Sequence, residues 1–307
     1  MSGGELVRMD ALALSRAIKA REVSCAEVMT AFLDHIDACN PRVNAIIARA
    51  DRADLLDQAR ERDRMLDRGE YLGWMHGFPQ AVKDLADAAG FPTTEGSPIF
   101  ADTVATEDAI FVRRIKDAGA IIIGKTNTPE FGLGSHSYNP VNGTTTNPYD
   151  TTRTAGGSSG GAGAALALRM LPVADGSDYM GSLRNPAAFN NVLGFRPSYG
   201  RVPAPGFVAS HSVTGPMGRT VADVAALLAT MAGPHPSAPL SLDEDPAVFT
   251  GPLESDVAGT RIAWVGDYDG RLATEPGVLE VCRSSFAAFE GLGCTVEEAR
   301  PDMDMDE

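Results

Sequence analysis

Between Thr154 and Arg184 the chain reads TAGGSSGGAGAALALRMLPVADGSDYMGSLR, and this stretch constrains the fold more than any other. Gly156-Gly157-Ser158-Ser159-Gly160-Gly161 places two hydroxyls in backbone free to take conformations and close approaches that side chains forbid. Ala162 to Met170 is a run of good helix formers, so the loop opens a helix whose first amides have no partner inside it. Further on, Asp178-Tyr179-Met180-Gly181-Ser182-Leu183-Arg184 sets another serine after a short irregular segment, between an acid and a base that can brace it.

Upstream, Gly77-Phe78-Pro79 leads into a short apolar strand from Gln80 to Leu85 with Lys83 in its middle. A lysine flanked by Ala81, Val82 and Leu85 is drawn toward the interior, where desolvation lowers its pKa from about 10.4 and leaves the neutral amine that a base requires. Asp84 faces the other way on an alternating strand and reads as structural. Lysine is scarce, with Lys19, Lys83, Lys116 and Lys125 the full set against 22 arginines.

The two serine motifs and the Ala81-Val82-Lys83-Asp84-Leu85 motif, in this order, resemble the amidase signature family. The resemblance runs from about Leu72 to Gly233 and includes Asn185-Pro186-Ala187-Ala188 and Gly194-Phe195-Arg196-Pro197. It implies an α/β class and the amidase signature fold, a mixed β-sheet core covered by helices on both faces. It also implies hydrolysis or transfer of carboxamides by a Ser, cis-Ser, Lys triad. Position by position, Ser182 matches the nucleophile, Ser158 the bridging serine in a cis peptide, and Lys83 the base. Main-chain amides around Tyr179, Met180, Gly181 and Ser182 match the oxyanion loop, Ser159 a support of the network, and Asp178 with Arg184 an ion pair bracing the turn. The resemblance implies no cofactor and no metal.

One departure concerns Met180-Gly181, where the family usually has two glycines. Methionine is strained at positive φ, so either Met180 has negative φ or the oxyanion loop is altered. Tyr179 and Met180 are also larger than the usual residues, which suggests a differently shaped acyl pocket.

Other patterns compete. Gly119-Ala120-Ile121-Ile122-Ile123-Gly124-Lys125-Thr126 fits the nucleotide-binding pattern GxxxxGK[ST], yet Ala-Ile-Ile-Ile reads as a strand, and Thr126-Asn127-Thr128-Pro129 does not continue directly into a helix. Ser159 centres a GxSxG string from Gly157 to Gly161, but a glycine- and threonine-rich loop precedes it where an α/β-hydrolase has a strand. His136 stands alone in a polar loop and reads as solvated.

The remaining segments read as scaffold. Helices are expected over Asp10 to Arg21, from a Ser24-Cys25-Ala26-Glu27 capping box to the residue before Pro41, and over Asp51 to Arg68. Val43 to Ile47 reads as a strand; Glu107 to Ala118 and Ala120 to Ile123 complete a β-α-β step; Thr220-Val221-Ala222-Asp223 caps a helix to Met231. A polar, proline-rich link from Gly233 to Pro252 precedes a strand at Arg261 to Val265, a helix at Glu275 to Phe289 and a strand at Cys294 to Glu298. The organisation expected is an N-terminal helical part over 1–70, the signature core over 71–232, and the start of a C-terminal part of the same domain over 233–307. Family members usually continue well past Asp302-Met303-Asp304-Met305-Asp306-Glu307, so the chain reads as truncated at its C-terminus, with that part of the fold missing.

Of 307 residues 44% are apolar, enough for one large α/β domain or two smaller ones. Cys25, Cys39, Cys282 and Cys294 show no metal-like spacing and read as reduced thiols. Met1 to Asp10 lacks an apolar signal core and no membrane-length apolar run follows, so a cytoplasmic protein with no membrane contact is expected. Of the net charge of −15, residues 241–307 carry 16 acids against 4 bases. Direct nucleic-acid binding is therefore not expected. The partners expected are a small-molecule amide substrate and, as the family often dimerises, a second copy of the chain. The function expected is an amidase that converts a small carboxamide to a carboxylic acid and ammonia or amine through an acyl-serine. The alternatives are the catalytic A-type subunit of a tRNA-dependent amidotransferase, or an inactive truncated member.

Overall fold

The computed structural model of the protein describes residues 1–208 and 211–300. The run from Asp302 to Glu307 lies outside the described residues. The chain divides into two compact units, Met1–Gly251 and a second that begins at Pro252.

In chain order the first unit contains α1 (Gly3–Leu6), α2 (Ala11–Lys19), α3 (Cys25–Val43), β1 (Ile46–Ile47), α4 (Arg52–Asp67), β2 (Pro79–Lys83), α5 (Ile110–Asp117) and β3 (Ile121–Thr126). It continues with β4 (Tyr138–Asn139), β5 (Gly143–Thr144), α6 (Gly160–Ala167), β6 (Ala174–Asp178), α7 (Arg184–Phe189), β7 (Leu193–Gly194), β8 (Val213–Gly218) and α8 (Val221–Met231). β3 lies between β1 and β2, antiparallel to the first and parallel to the second, so β2, α5 and β3 form the expected β-α-β step. β8 lies between β6 and β7 in an antiparallel sheet. The architecture is α/β with mixed strand pairing. The two sheets meet where the Lys83 N–H at the end of β2 donates to Asp175 on β6.

β2 is buried at every position, which is why a run of Pro, Gln, Ala, Val and Lys does not alternate between core and solvent. β3 runs on past Ile123 because Gly124, Lys125 and Thr126 keep pairing with Ala81, Val82 and Lys83. α3 starts on the Ser24 capping box as expected but passes through Pro41 to Val43. Proline in the final turn removes only one donor, and Asn44, left-handed at φ 51°, closes the helix by donating its N–H to Asn40 O.

The stretch expected to be a link is fastened to the first unit. The Arg114 guanidinium donates to the carbonyls of Met231, Ala232, Gly233 and Pro234. Arg201 pairs with Glu244 and lies 5.2 Å from the centroid of the Phe249 ring. In the second unit, β9 (Arg261–Trp264) and β10 (Thr295–Glu298) pair in parallel, linked through α9 (Val278–Ser284) and α10 (Phe286–Gly291). The single helix expected from Glu275 to Phe289 is thus two. Ser284 and Ser285 donate their hydroxyls to the carbonyls of Val281 and Cys282, competing with the helical ladder at the break.

Asp223 joins two helices. As expected, α8 begins on Thr220, whose hydroxyl accepts the Asp223 N–H, and the buried Asp223 carboxylate then accepts the N–H groups of Ala11 and Leu12 at 3.1 and 2.9 Å. It satisfies two first-turn donors of α2 that the helix cannot satisfy itself. Asp223→Ala is expected to lower stability by about 2 kcal/mol in chemical denaturation. An unchanged denaturation midpoint would show that the α2 terminus does not depend on it.

Candidate active site

Lys83 is the last residue of β2 and its side chain is fully buried. Its Nζ donates to Ser158 Oγ at 2.7 Å, Ser159 Oγ at 2.8 Å and Ser177 Oγ at 2.9 Å. Burial pushes the amine down from 10.5 to about 7, and the carboxylates of Asp175 and Asp178 oppose that fall. A neutral amine has two N–H donors and one lone pair, so in that state one of the three hydroxyls must donate to nitrogen. Ser159 directs its own proton to Ser177 O at 3.3 Å and accepts from the amine and from the Ser177 N–H. Ser158, which opens to the same cavity as Ser182, is the better placed to pass its proton to the lysine.

The serine loop between β5 and α6 carries a cis peptide at Gly157-Ser158. Glycine is needed just beyond it, because a Cβ on Gly161 would lie 2.3 Å from Asn127 N and 2.7 Å from Ala45 O. The start of α6 therefore packs directly on the backbone that follows β3.

Ser182 sits on the turn from β6 to α7, partly exposed, and its carbonyl accepts the Ser159 N–H at 3.3 Å. Asp178 organises this turn. Its buried carboxylate accepts the N–H groups of Gly181 and Leu183 at 2.8 and 3.2 Å and is gripped by Arg184 through two bonds of 3.0 Å. Arg196 adds an ion pair at 3.3 Å. Burial raises the Asp178 pKa, but the Arg184 bonds and the two amides outweigh it and bring it to about 2. Met180 lies outside the left-handed region; the turn's left-handed residue is Gly181, φ 114°. The departure from two glycines therefore brings no strain at Met180. It adds a side chain that projects into solvent, 84% exposed.

Ser158, Ser177 and Ser182 open into a cavity of about 560 Å³ with an apolar wall of Leu85, Phe131, Leu133, Tyr179 and Met180. His136 is exposed and bonded to the Thr154 hydroxyl at 3.0 Å. The GxxxxGK[ST] string is strand, as its apolar residues suggest. Lys125 is buried with Nζ bonded to Ala86 O, Pro92 O and Thr93 Oγ1 and paired with Asp84 at 3.3 Å, so it has no room for a phosphate. Among the described residues no group of three or more His, Cys, Asp or Glu side chains is arranged to hold a metal ion.

Two site residues escaped the sequence reading. Ser177 completes the hydroxyl cage around Lys83, and Asp175 accepts the Lys83 N–H. Strand alternation was the available signal: in Ala174-Asp175-Gly176-Ser177-Asp178, residues 175 and 177 share one side.

The Amidase family profile matches residues 27–304. An acylamidase from Rhodococcus erythropolis is 40% identical over 296 residues, covering 95% of this chain and 62% of that protein. The A-type subunit of glutamyl-tRNA(Gln) amidotransferase from Acidothermus cellulolyticus is 42% identical over 298 residues, covering 96% of this chain and 59% of that protein. The crystal structure of a bacterial aryl acylamidase of the amidase signature enzymes matches with a TM-score of 0.86 at 30% identity, covering 95% of this chain and 61% of that one. The chain belongs to the amidase signature family. It spans about three fifths of the length of these relatives. Among the described residues no helix is long and apolar enough to cross a membrane.

The buried amine makes stability depend on pH. The unfolded chain holds the lysine proton up to 10.5 whereas the folded chain releases it near 7, so between these values the unfolded state binds more protons and stability rises with pH. Denaturation at pH 7 and pH 10 is expected to show this gain in the native chain and its loss in Lys83→Met. Equal pH dependence in the two proteins would contradict an amine with a lowered pKa.

Proposed function

We propose that this chain is an amidase that cleaves a small carboxamide through an acyl-serine on Ser182, with Ser158 as relay and Lys83 as base. The observation that carries the reading is the buried Lys83 amine bonded to Ser158 at the wall of the cavity that Ser182 also lines.

Ser182 Oγ bonds to the carbonyl carbon as its proton passes to Ser158 Oγ and the Ser158 proton passes to Lys83 Nζ. The carbonyl oxygen becomes an oxyanion, for which main-chain amides of the Tyr179 to Ser182 turn are the available donors, typically worth a few kcal/mol each. Because the Gly181 N–H is engaged by Asp178, Gly181 serves mainly to shape the turn. The carbon–nitrogen bond then breaks as the Lys83 proton returns, through Ser158, to the departing nitrogen. Water repeats the sequence on the acyl-serine and releases the acid. Ser159 holds Lys83 in place, and Asp178 with Arg184 holds the turn.

A second reading, the catalytic A-type subunit of a tRNA-dependent amidotransferase, is favoured by the 42% identity to a protein of that description. It would require glutamine, with its ammonium and carboxylate, to be held at the site. The cavity's apolar wall of Leu85, Phe131, Leu133, Tyr179 and Met180 suits an uncharged, apolar amide instead. Release of ammonia from glutamine, in preference to apolar amides, would favour the amidotransferase.

Ser182→Ala, Ser158→Ala and Lys83→Ala are each expected to lower amide hydrolysis by roughly a thousandfold or more, with double variants little worse. A fluorophosphonate probe should label Ser182 at a rate that rises with pH through about 7, as the Lys83 proton leaves. His136→Ala should keep its activity. Near-normal hydrolysis by Ser182→Ala would sink the assignment.

A further inference from the structure

Asp175 is a buried acid to which the acyl-serine chemistry gives no task. Strand alternation turns it and Ser177 to the same side of β6, toward β2. There Asp175 Oδ2 accepts the Lys83 main-chain N–H at 3.1 Å, while Ser177 Oγ accepts from Nζ of the same lysine at 2.9 Å. One strand thus grips the lysine at both ends. Asp175 Oδ1 also lies 3.5 Å from Gln80 Nε2, on the same strand as Lys83.

Positioning alone does not need a charge, since an amide or hydroxyl oxygen would accept the same N–H. A buried carboxylate is costly without a cation, and burial pushes Asp175 up to about 6 against the Lys83 N–H and the charges of Lys83 and Lys125. The neighbouring charges divide into pairs. Lys125 is matched by Asp84 at 3.3 Å, and Asp178 by Arg184 and Arg196. Asp175 stands outside these pairs and feels the charges of Lys83 first and Lys125 second. As Lys83 takes the serine proton, a buried ammonium forms in a cage of neutral hydroxyls. The carboxylate fixed on the same residue's main chain, whose charge reaches the amine, stabilises that state more than the resting amine.

We propose that Asp175 is a positioning residue for the base, fixing the end of β2 at the serine cluster and supporting with its carboxylate the ammonium that Lys83 becomes. The proposal rests on Lys83 acting as the base. The groups that enter its pH dependence are Asp175 and Asp178 facing Lys83, and Lys83 and Lys125 facing Asp175.

Asp175→Asn keeps an oxygen for the Lys83 N–H and removes the charge. Fluorophosphonate labelling of Ser182 and amide turnover are measured from pH 5 to 9. Without the anion the ammonium is less favoured, so the midpoint of the acid limb is expected to move down by roughly one pH unit. The plateau kcat should fall while KM stays close to the native value. A lowered plateau with an unmoved midpoint would mean that Asp175 only supports the fold, and the proposal would fall. If Asp175→Asn does not fold, a second substitution decides: Asp175→Ser, its hydroxyl oxygen accepting the Lys83 N–H without the charge. The same downward move of the midpoint is expected, and an unmoved midpoint would overturn the proposal. Lys83→Met separates the two claims. Labelling of Ser182 that persists unchanged in that variant removes the base and this proposal with it, whereas Lys83-dependent labelling with an unmoved Asp175→Asn midpoint overturns the proposal alone.

Discussion

A lysine amine taken out of water and handed to three serine hydroxyls is the interaction on which the rest of this site depends. Burying an unpaired ammonium costs several kcal/mol, and bonds from neutral hydroxyls return only part of that. The balance brings Lys83 to about 7, where amine and ammonium are both accessible. A lysine on the surface would stay charged and offer no lone pair. The same amine in a wholly apolar core would be too weak a base to hold a proton between chemical steps. The hydroxyl cage and the nearby carboxylates place it between those limits.

Holding three hydroxyls around one nitrogen requires segments distant in sequence to approach closely. Ser158 and Ser159 come from the loop before α6, Ser177 from β6, and the lysine from β2. Side chains would keep these segments apart. A Cβ on Gly176 would lie 2.7 Å from Ser159 Oγ, and one on Gly161 would collide with the backbone at Asn127. Asp178 does for the Ser182 turn what the hydroxyl cage does for Lys83: two main-chain amides and two arginines converge on its one carboxylate and fix the turn's backbone.

The centre of this arrangement was legible because its motifs are local in sequence and together resemble the amidase signature family. The glycine-serine loop, the Asp178 to Arg184 turn and an apolar strand with one lysine each announce themselves within a few residues. The β-α-β step and the capped starts of α3 and α8 were legible for the same reason, since periodicity and caps are short-range signals. Ser177 and Asp175 were not, because their roles exist only where β6 faces β2, and a serine or aspartate in a strand carries no mark of what lies across from it. Lys125 shows the converse: its motif matched a phosphate cradle to the letter, while strand pairing and the pairing with Asp84 had already used it. At Met180 the sequence posed a question of backbone sign that only φ could answer, and Gly181 takes the left-handed conformation there. The breaks it misplaced, at Pro41 and Ser285, are sites where one missing or competing hydrogen bond decides the outcome.

The central claim is that Lys83 is a neutral amine at working pH, and an NMR titration of the chain with isotope-labelled lysine tests it most directly. With only Lys19, Lys83, Lys116 and Lys125 to resolve, the Lys83 signal can be assigned by its loss in Lys83→Met. The account predicts a titration near 7 for Lys83. A Lys83 that stays protonated to pH 10 or above would contradict it, because a permanent ammonium cannot take a proton from serine.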